Sequence, residues 1–240
     1  MILNGLDRFA GLTPEERRHL GDALTSRAVA ARSSLVDEGS KAGALYLLAE
    51  GWAFRHQTAR SGSRQIVGLA LPGDFCNLDV LAFGRIDYGV RMLTPGTLLS
   101  IERDQALALG VYFPAIAALF AQTAFVENAI LTRWTLCLGR LSAQERLAHL
   151  LCELAVRRGY GCDRRQARIE LPLTQEQLAD VLGLTGVHVN RVLQQLRAMG
   201  LVAKRGRSVE IFDFPALRAM AGFDPAYLHR DTVGPEAVAA

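Results

Sequence analysis

The sequence predicts an α+β chain: an N-terminal antiparallel β-roll of jelly-roll-like closure, then one long helix, then a helical unit that ends in a β-hairpin. Three observations carry that expectation. Glycines at 39, 51, 62, 73 and 96 punctuate short apolar or alternating runs. Apolar residues then recur three and four apart from Ile116 to Cys137, and two amphipathic helices meet around Gly183 in "LADVLGLTGVHVNRVLQQLRAMGLV". With 240 residues the chain can build two cores, and 50% hydrophobic against 21% charged residues is ordinary globular composition, not that of a disordered segment.

Each element has a local reason. In "LTPEERRHLGDAL", Thr13 is a plausible N-cap, Pro14 fits the first helical position and Glu16 completes a capping box, so a short helix begins there. From Thr25 to Asp104 the runs "SSLVDEGS", "ALYLLAEGWAFRHQ", "RQIVGLALPGDF" and "GVRMLTPGTLLSIERD" read as short strands between turns, the texture of an antiparallel roll or barrel. After "YFP" the pattern turns helical, and Ile116, Leu119, Thr123, Val126, Ile130, Arg133 and Cys137 form a heptad-like seam. That seam is expected to pair with its own copy around a two-fold axis, while Phe120, Phe125, Leu131 and Trp134, lying off it, serve the roll. The competing expectation is that the stripe simply packs on its own roll.

Gly139 is the expected hinge before a helix that starts at Ser142, boxed by Glu145, and ends near Gly159. "QARIELPL" then reads as a short strand, Thr174 with Gln177 opens the next helix, and "VAKRGRSVEIFDF" alternates around "RGRS" as a hairpin does. "TVGPEAVAA" looks like a frayed tail. The expected organisation is an effector-sensing roll over 1–110, a dimerisation helix over 111–138, a winged helix-turn-helix over 139–222 and a tail over 223–240.

Charge and cysteine usage narrow the function. Thirteen basic and thirteen acidic residues precede Gly139, against fourteen and eleven from there on, and between Arg157 and Arg207 ten basic residues face four acidic ones. Such a balance suits contact with a polyanion. Cys76, Cys137, Cys152 and Cys162 are scattered without C-x-x-C spacing and read as small buried hydrophobes rather than metal or cluster ligands. The best apolar run, "AIAALFAQTAFVENAIL", is interrupted by Gln122, Glu127 and Asn128, and the N-terminus has no basic-then-apolar signal pattern, so a cytoplasmic protein with no membrane partner is expected.

The helix pair around Gly183 needs a small residue at its crossing, glycine in its turn and apolar inward faces; Ala179, Gly183 and the set Leu178, Leu182, Leu184, Val189, Val192 and Leu196 supply them. Thr185 can cap the second helix. Its other side carries His188, Arg191 and Gln195, with Val187, Asn190 and Gln194 beside them, a stripe of donors and acceptors rather than the Glu/Lys mixture of a merely soluble face. Arginine can fork onto guanine, and Asn or Gln onto adenine, so the stripe is competent to read a major groove. Lys204, Arg205 and Arg207 stand at the hairpin turn, where a wing would meet phosphates.

The order of roll, long helix, "GR", helix, helix-turn-helix and wing resembles the Crp/Fnr family of bacterial transcription regulators over about residues 12 to 220. "GALYLLAEG" with "LPGDF", "GRLSAQERLAHLL" and "TQEQLADVLGLTGVHVNRVLQQL" carry the resemblance, the last most specifically. It implies a homodimer on a palindromic double-stranded DNA site, with RNA polymerase as a further partner. Arg191 matches the family's guanine-reading arginine. Thr185 and His188 sit where hydroxyl-bearing residues often touch DNA, and Thr174 with Gln175 lies at a helix N-terminus suited to phosphate. Val187 departs from the glutamate many members have there and offers only apolar contact, which predicts a different half-site.

In the roll, the family's cyclic-AMP pattern falls on Leu78, Ile86, Asp87, Phe125 and Val126, with Tyr88 and Arg91 nearby. None of the needed polar groups is among the first five, and Asp87 would oppose a phosphate, so cyclic AMP is not expected. Nor is the iron–sulfur cluster of the oxygen-sensing branch, because the first cysteine is Cys76. Haem on Cys76 or His56 is a minor alternative; an apolar effector near Phe125, or none, stays open. A cupin-like enzyme is disfavoured because His19, His56, His149, His188 and His229 have no H-x-H spacing, and no catalytic motif stands out. The chain is therefore expected not to be an enzyme. A ligand-binding regulatory subunit that touches another protein is the remaining alternative.

Overall fold

The computed structural model describes residues 7–41, 43–162 and 164–230. They form two compact units whose division falls inside the long helix, between Glu127 and Asn128.

In the first unit, α1 (Pro14–Asp22) starts with the expected capping box between Thr13 and Glu16. Seven strands follow: β1 (Thr25–Val29), β2 (Ser34–Val36), β3 (Ala44–Glu50), β4 (Ala53–Thr58), β5 (Arg64–Ala70), β6 (Gly89–Met92) and β7 (Gly96–Glu102). They pair antiparallel in two sheets, β1-β7-β3 and β2-β6-β4-β5. Leu45, Leu47, Phe75, Val90, Met92, Leu98 and Ile101 fill the core, and Ile116, Leu119 and Phe120 of the long helix close it.

Before that helix stands one that the alternating pattern did not announce, α2 (Arg103–Tyr112). Phe113 breaks the chain between it and α3 (Pro114–Arg140), holding φ −127° and ψ 87°. The residue before a proline is pushed out of the helical region, which makes two helices of one run. Gly139 lies within the last turn of α3, and the chain bends at Leu141 and Ser142 instead, so the expected hinge moves by two residues.

The structure also changes the assigned face of α3. Ile116, Leu119, Thr123 and Cys137, four members of the expected dimer seam, are buried within their own units, and Val126 and Ile130 are half-covered. Of the four residues expected to serve the roll, Phe120 joins its core, Trp134 is buried in the second unit instead, and Phe125 and Leu131 are exposed. The competing expectation holds for the first part of the stripe, where the roll's core takes Ile116 and Leu119; Cys137 is buried in the second unit instead. By length and composition alone α3 is long and apolar enough to cross a bilayer, but one of its faces is committed to these two cores.

The second unit continues with α4 (Ala143–Arg157), boxed by Ser142 and Glu145, then β8 (Ala167–Glu170), α5 (Gln175–Leu182) and α6 (Gly186–Ala198). The hairpin β9 (Val202–Arg205) and β10 (Ser208–Ile211) joins β8 in the order β8-β10-β9. α7 (Phe214–Ala221), capped by Asp213, follows. No tail begins at residue 223: Phe223 and Leu228 are buried and a 3-10 turn spans Pro225–Leu228. "TVGPEAVAA" lies outside the described residues.

Candidate nucleic-acid interface

Thr174 and Gln177 box the start of α5, and Gly183 ends it in the left-handed region at φ 62°, which only glycine occupies without strain. A Cβ there would sit 3.1 Å from Cδ2 of Leu138, so that side chain would have to give by a few tenths of an ångström. Thr185 caps α6, its hydroxyl accepting from the His188 amide at 3.3 Å. Leu178, Ala179, Leu182, Val189, Val192 and Leu196 are buried together between the two helices. Arg146, which the sequence reading did not single out, donates from Nε to the Leu141 carbonyl and from Nη1 to the Leu182 carbonyl, both at 2.9 Å. One guanidinium thus ties the bend after α3 to the end of α5.

With that core closed, the expected reading stripe is left outside. Thr185, Val187, His188, Asn190, Arg191, Gln194 and Gln195 are all exposed, Val187 at 75%, and so are Thr174 and Gln175 at the start of α5. An isolated valine that exposed is not serving the fold. Gln195 differs from its neighbours because its Oε1 accepts from Nε2 of Gln144 on α4 at 2.9 Å. That bond to another helix makes Gln195 less available than Val187, His188, Asn190 and Arg191.

At the wing, Arg205 pairs with Glu210 at 3.2 Å, and the Lys204 ammonium turns back to the Gly206 carbonyl at 3.0 Å. Burial pulls the Lys204 pKa below its ordinary value. Arg207 is exposed at the tip.

The residues expected to line an effector pocket do not converge. Leu78 and Ile86 join the hydrophobic core, whereas Asp87, Arg91 and Phe125 are exposed and Val126 is half-covered. Only Tyr88 turns toward a polar interior: its hydroxyl donates to Asp79 at 2.9 Å, and the Arg55 guanidinium lies 5.6 Å from its ring centroid. Arg55 forms a 2.7 Å ion pair with Glu127 and donates to the Phe75 carbonyl at 3.1 Å. Burial works against the guanidinium's charge, but Glu127 and Tyr88 more than offset it and its pKa rises; burial also lifts the Glu127 carboxyl above the usual range against the pull of Arg55. Neither residue was singled out from the sequence. The available signal was phase: Ile116, Phe120, Thr123 and Glu127 share one helical face, and a charge at a core position requires a partner.

The two haem candidates do not fit an axial role. Cys76 is fully buried and its thiol is pushed up to about 12 by burial. His56 lies so close to Gly89 that a Cβ there would stand 2.5 Å from its Nε2. Among the described residues, no three His, Cys, Asp or Glu side chains gather as a metal site.

Residues 26–110 match the cyclic nucleotide-binding domain, and residues 145–220 match the Crp-like helix-turn-helix domain. The transcriptional activator protein FnrL of Cereibacter sphaeroides is 32% identical over 217 residues, 88% of this chain and 86% of that protein. The nitrogen fixation regulation protein FixK of Azorhizobium caulinodans is 29% identical, over 82% of this chain and 80% of its own length. In fold, the chain is similar to FixK2 from Bradyrhizobium japonicum, with a TM-score of 0.76 at 22% identity, covering 84% of this chain and 98% of that one.

Proposed function

Since the chain belongs to the Crp/Fnr family of DNA-binding transcription regulators, we propose that it acts in the cytoplasm as a homodimer on a palindromic operator, laying α6 of each copy in a major groove. The observation that carries this reading is the uncovered polar stripe of α6. A helix whose apolar face is fully used, and whose other face presents Arg191, Asn190 and His188 around a bare Val187, is equipped to meet base edges. The N-terminus of α5 at Thr174 and Gln175, with Arg207 at the wing, would hold phosphates.

The second copy is best accommodated by the exposed face of α3. Ala117, Ala121, Ala124, Asn128, Thr132 and Thr135 are exposed at three- and four-residue spacing, flanked by Phe125, Leu131 and Leu136. Small residues let two helix backbones approach, and the flanking apolar side chains would cover the seam. RNA polymerase is the further partner that membership of the family suggests. Cyclic AMP is not its effector in this reading, because the roll's buried cation is already met by Glu127.

Selection of duplexes with the full chain, combined with sedimentation, tests the proposal. We expect a dimer on two inverted half-sites about one helical turn apart, with affinity that falls as salt rises. Val187→Glu should change the preferred base at one position of each half-site. Random DNA bound as well as any selected sequence, or a single chain per duplex, would overturn the reading.

A further inference from the structure

We propose that Tyr227, acting through Glu153, positions the C-terminal half of α3 on the reading unit and so sets the separation of half-sites that the dimer accepts. The inference rests on the two-fold reading above. Glu153 of α4 is fully buried, and both Trp134 of α3 and Tyr227 of the C-terminal 3-10 turn donate to its Oε2, the indole at 2.9 Å and the phenol at 2.7 Å. Arg157 meets the other oxygen at 3.4 Å. One carboxylate oxygen therefore registers an indole and a phenol at once, from elements 93 positions apart. Both donors are rigid groups, so the bond fixes direction as well as distance.

The tyrosine ring is held from two further sides. Arg133, one residue before Trp134 on α3, places its guanidinium 5.1 Å from the ring centroid. His149 of α4 stacks on it at 5.9 Å, and Phe223 meets it edge-on at 6.1 Å. A short C-terminal turn thus meets α3 at Arg133 and α4 at Glu153 and His149, one helical turn apart, and it reaches Trp134 through the shared Glu153 carboxylate. α3 carries Leu131, Thr132, Thr135 and Leu136 on the face proposed to meet the second copy. The angle at which it leaves α4 therefore fixes how far apart two copies of α6 can stand. Tyr227 touches no DNA in this scheme and is a positioning residue.

The test uses the full chain, its selected operator, the same operator with one base pair added or removed at the centre, and a duplex carrying one half-site. Tyr227→Phe keeps the ring and removes the donor. It should bind the single half-site as the parent chain does, while its preference for the natural spacing drops about fivefold, on the order of one hydrogen bond's net worth. Trp134→Phe should relax the same preference, and thermal unfolding of each variant reports whether the fold survives. Equal loss on every duplex, or unchanged spacing preference, would overturn the inference alone. A parent chain indifferent to spacing would overturn the two-fold reading and this inference together.

Discussion

Arg55 and Arg191 are the same side chain put to opposite uses. In the roll, Arg55 turns inward, is covered, and is met at 2.7 Å by Glu127. In the reading unit, Arg191 turns outward on α6 and is exposed. Arg55 has its charge met inside the roll, whereas Arg191 leaves its charge on the surface of the helix-turn-helix. The difference teaches where each unit can be perturbed. A change at Arg55 or Glu127 is expected to act on folding, because the surviving partner is stranded in low dielectric; a change at the exposed Arg191 is expected to spare folding and, in the proposed role, to act on binding.

The largest expected effect follows from the inward pair. Glu127→Ala leaves a largely covered guanidinium without its counter-ion and should cost about 3 kcal/mol of stability, the lower end for a buried pair. The double variant Arg55→Met, Glu127→Leu should recover most of that loss, since an apolar pair of similar volume has no charge to desolvate. Urea unfolding of the three proteins checks this. If the single variant unfolds at the parent's midpoint, the roll's charges are not sealed inside and the contrast with α6 collapses.

The helix-turn-helix unit has its own buried polar cluster, which sharpens the comparison because one of its members, His149, is held neutral rather than paired. His149 packs against Tyr227 and Phe223 with Arg133 nearby, and burial first, then Arg133, pull its pKa from 6.5 to about 4. In the folded chain it is neutral at neutral pH. The unfolded chain binds the extra proton first, so stability is complete above the unfolded value and is lost as pH falls from about 6.5 toward 4. By pH 5 the loss should be about 2 kcal/mol. His149→Phe should flatten the difference between unfolding at pH 7 and at pH 5; an equal difference in both proteins would place the acid response elsewhere.

How much of this could be read from sequence divides along the same line. Outward chemistry was legible: Val187, His188, Asn190 and Arg191 follow from helical phase once Leu178, Val189, Val192 and Leu196 are assigned inward, because amphipathicity is a local property. Strand and cap positions were legible for the same reason, as at Thr13, Ser142 and Thr174. Inward chemistry was not. The Arg55–Glu127 pair joins residues 72 positions apart, and the Glu153–Tyr227 bond joins residues 74 apart, so neither leaves a mark in any short window. The apolar stripe of α3 was recognised but given the wrong neighbour: periodicity tells that a face is covered and not by what. Gln195 shows the same limit at the surface, since its bond to Gln144 depends on how α4 meets α6.

The outward arginines should yield effects on DNA and none on folding. Arg191→Ala should cost about 1 to 3 kcal/mol on the selected operator, relax preference at one base pair per half-site and leave the unfolding midpoint in place. A shifted midpoint would mean that α6 uses this side chain for its own packing, against its exposure.

The smallest effects belong to the wing, where the two modes of use meet in one hairpin. Arg205 is engaged by Glu210 at 3.2 Å, so it must give up or share that carboxylate before it can serve a phosphate; Arg207, exposed at the tip, has no such exchange to make with Glu210. Arg207→Ala should therefore weaken specific and random duplexes alike and make the slope of log affinity against log salt shallower by about one. Arg205→Ala should change that slope less, while Glu210→Gln, which releases Arg205 from its intrachain partner, should steepen it. Titrations of the selected operator and of a random duplex at several salt concentrations distinguish the three. If Arg205→Ala proved the larger loss, the ion pair with Glu210 would be a way of aiming the guanidinium at DNA, and the division between cancelled and uncancelled charge would not extend to the wing.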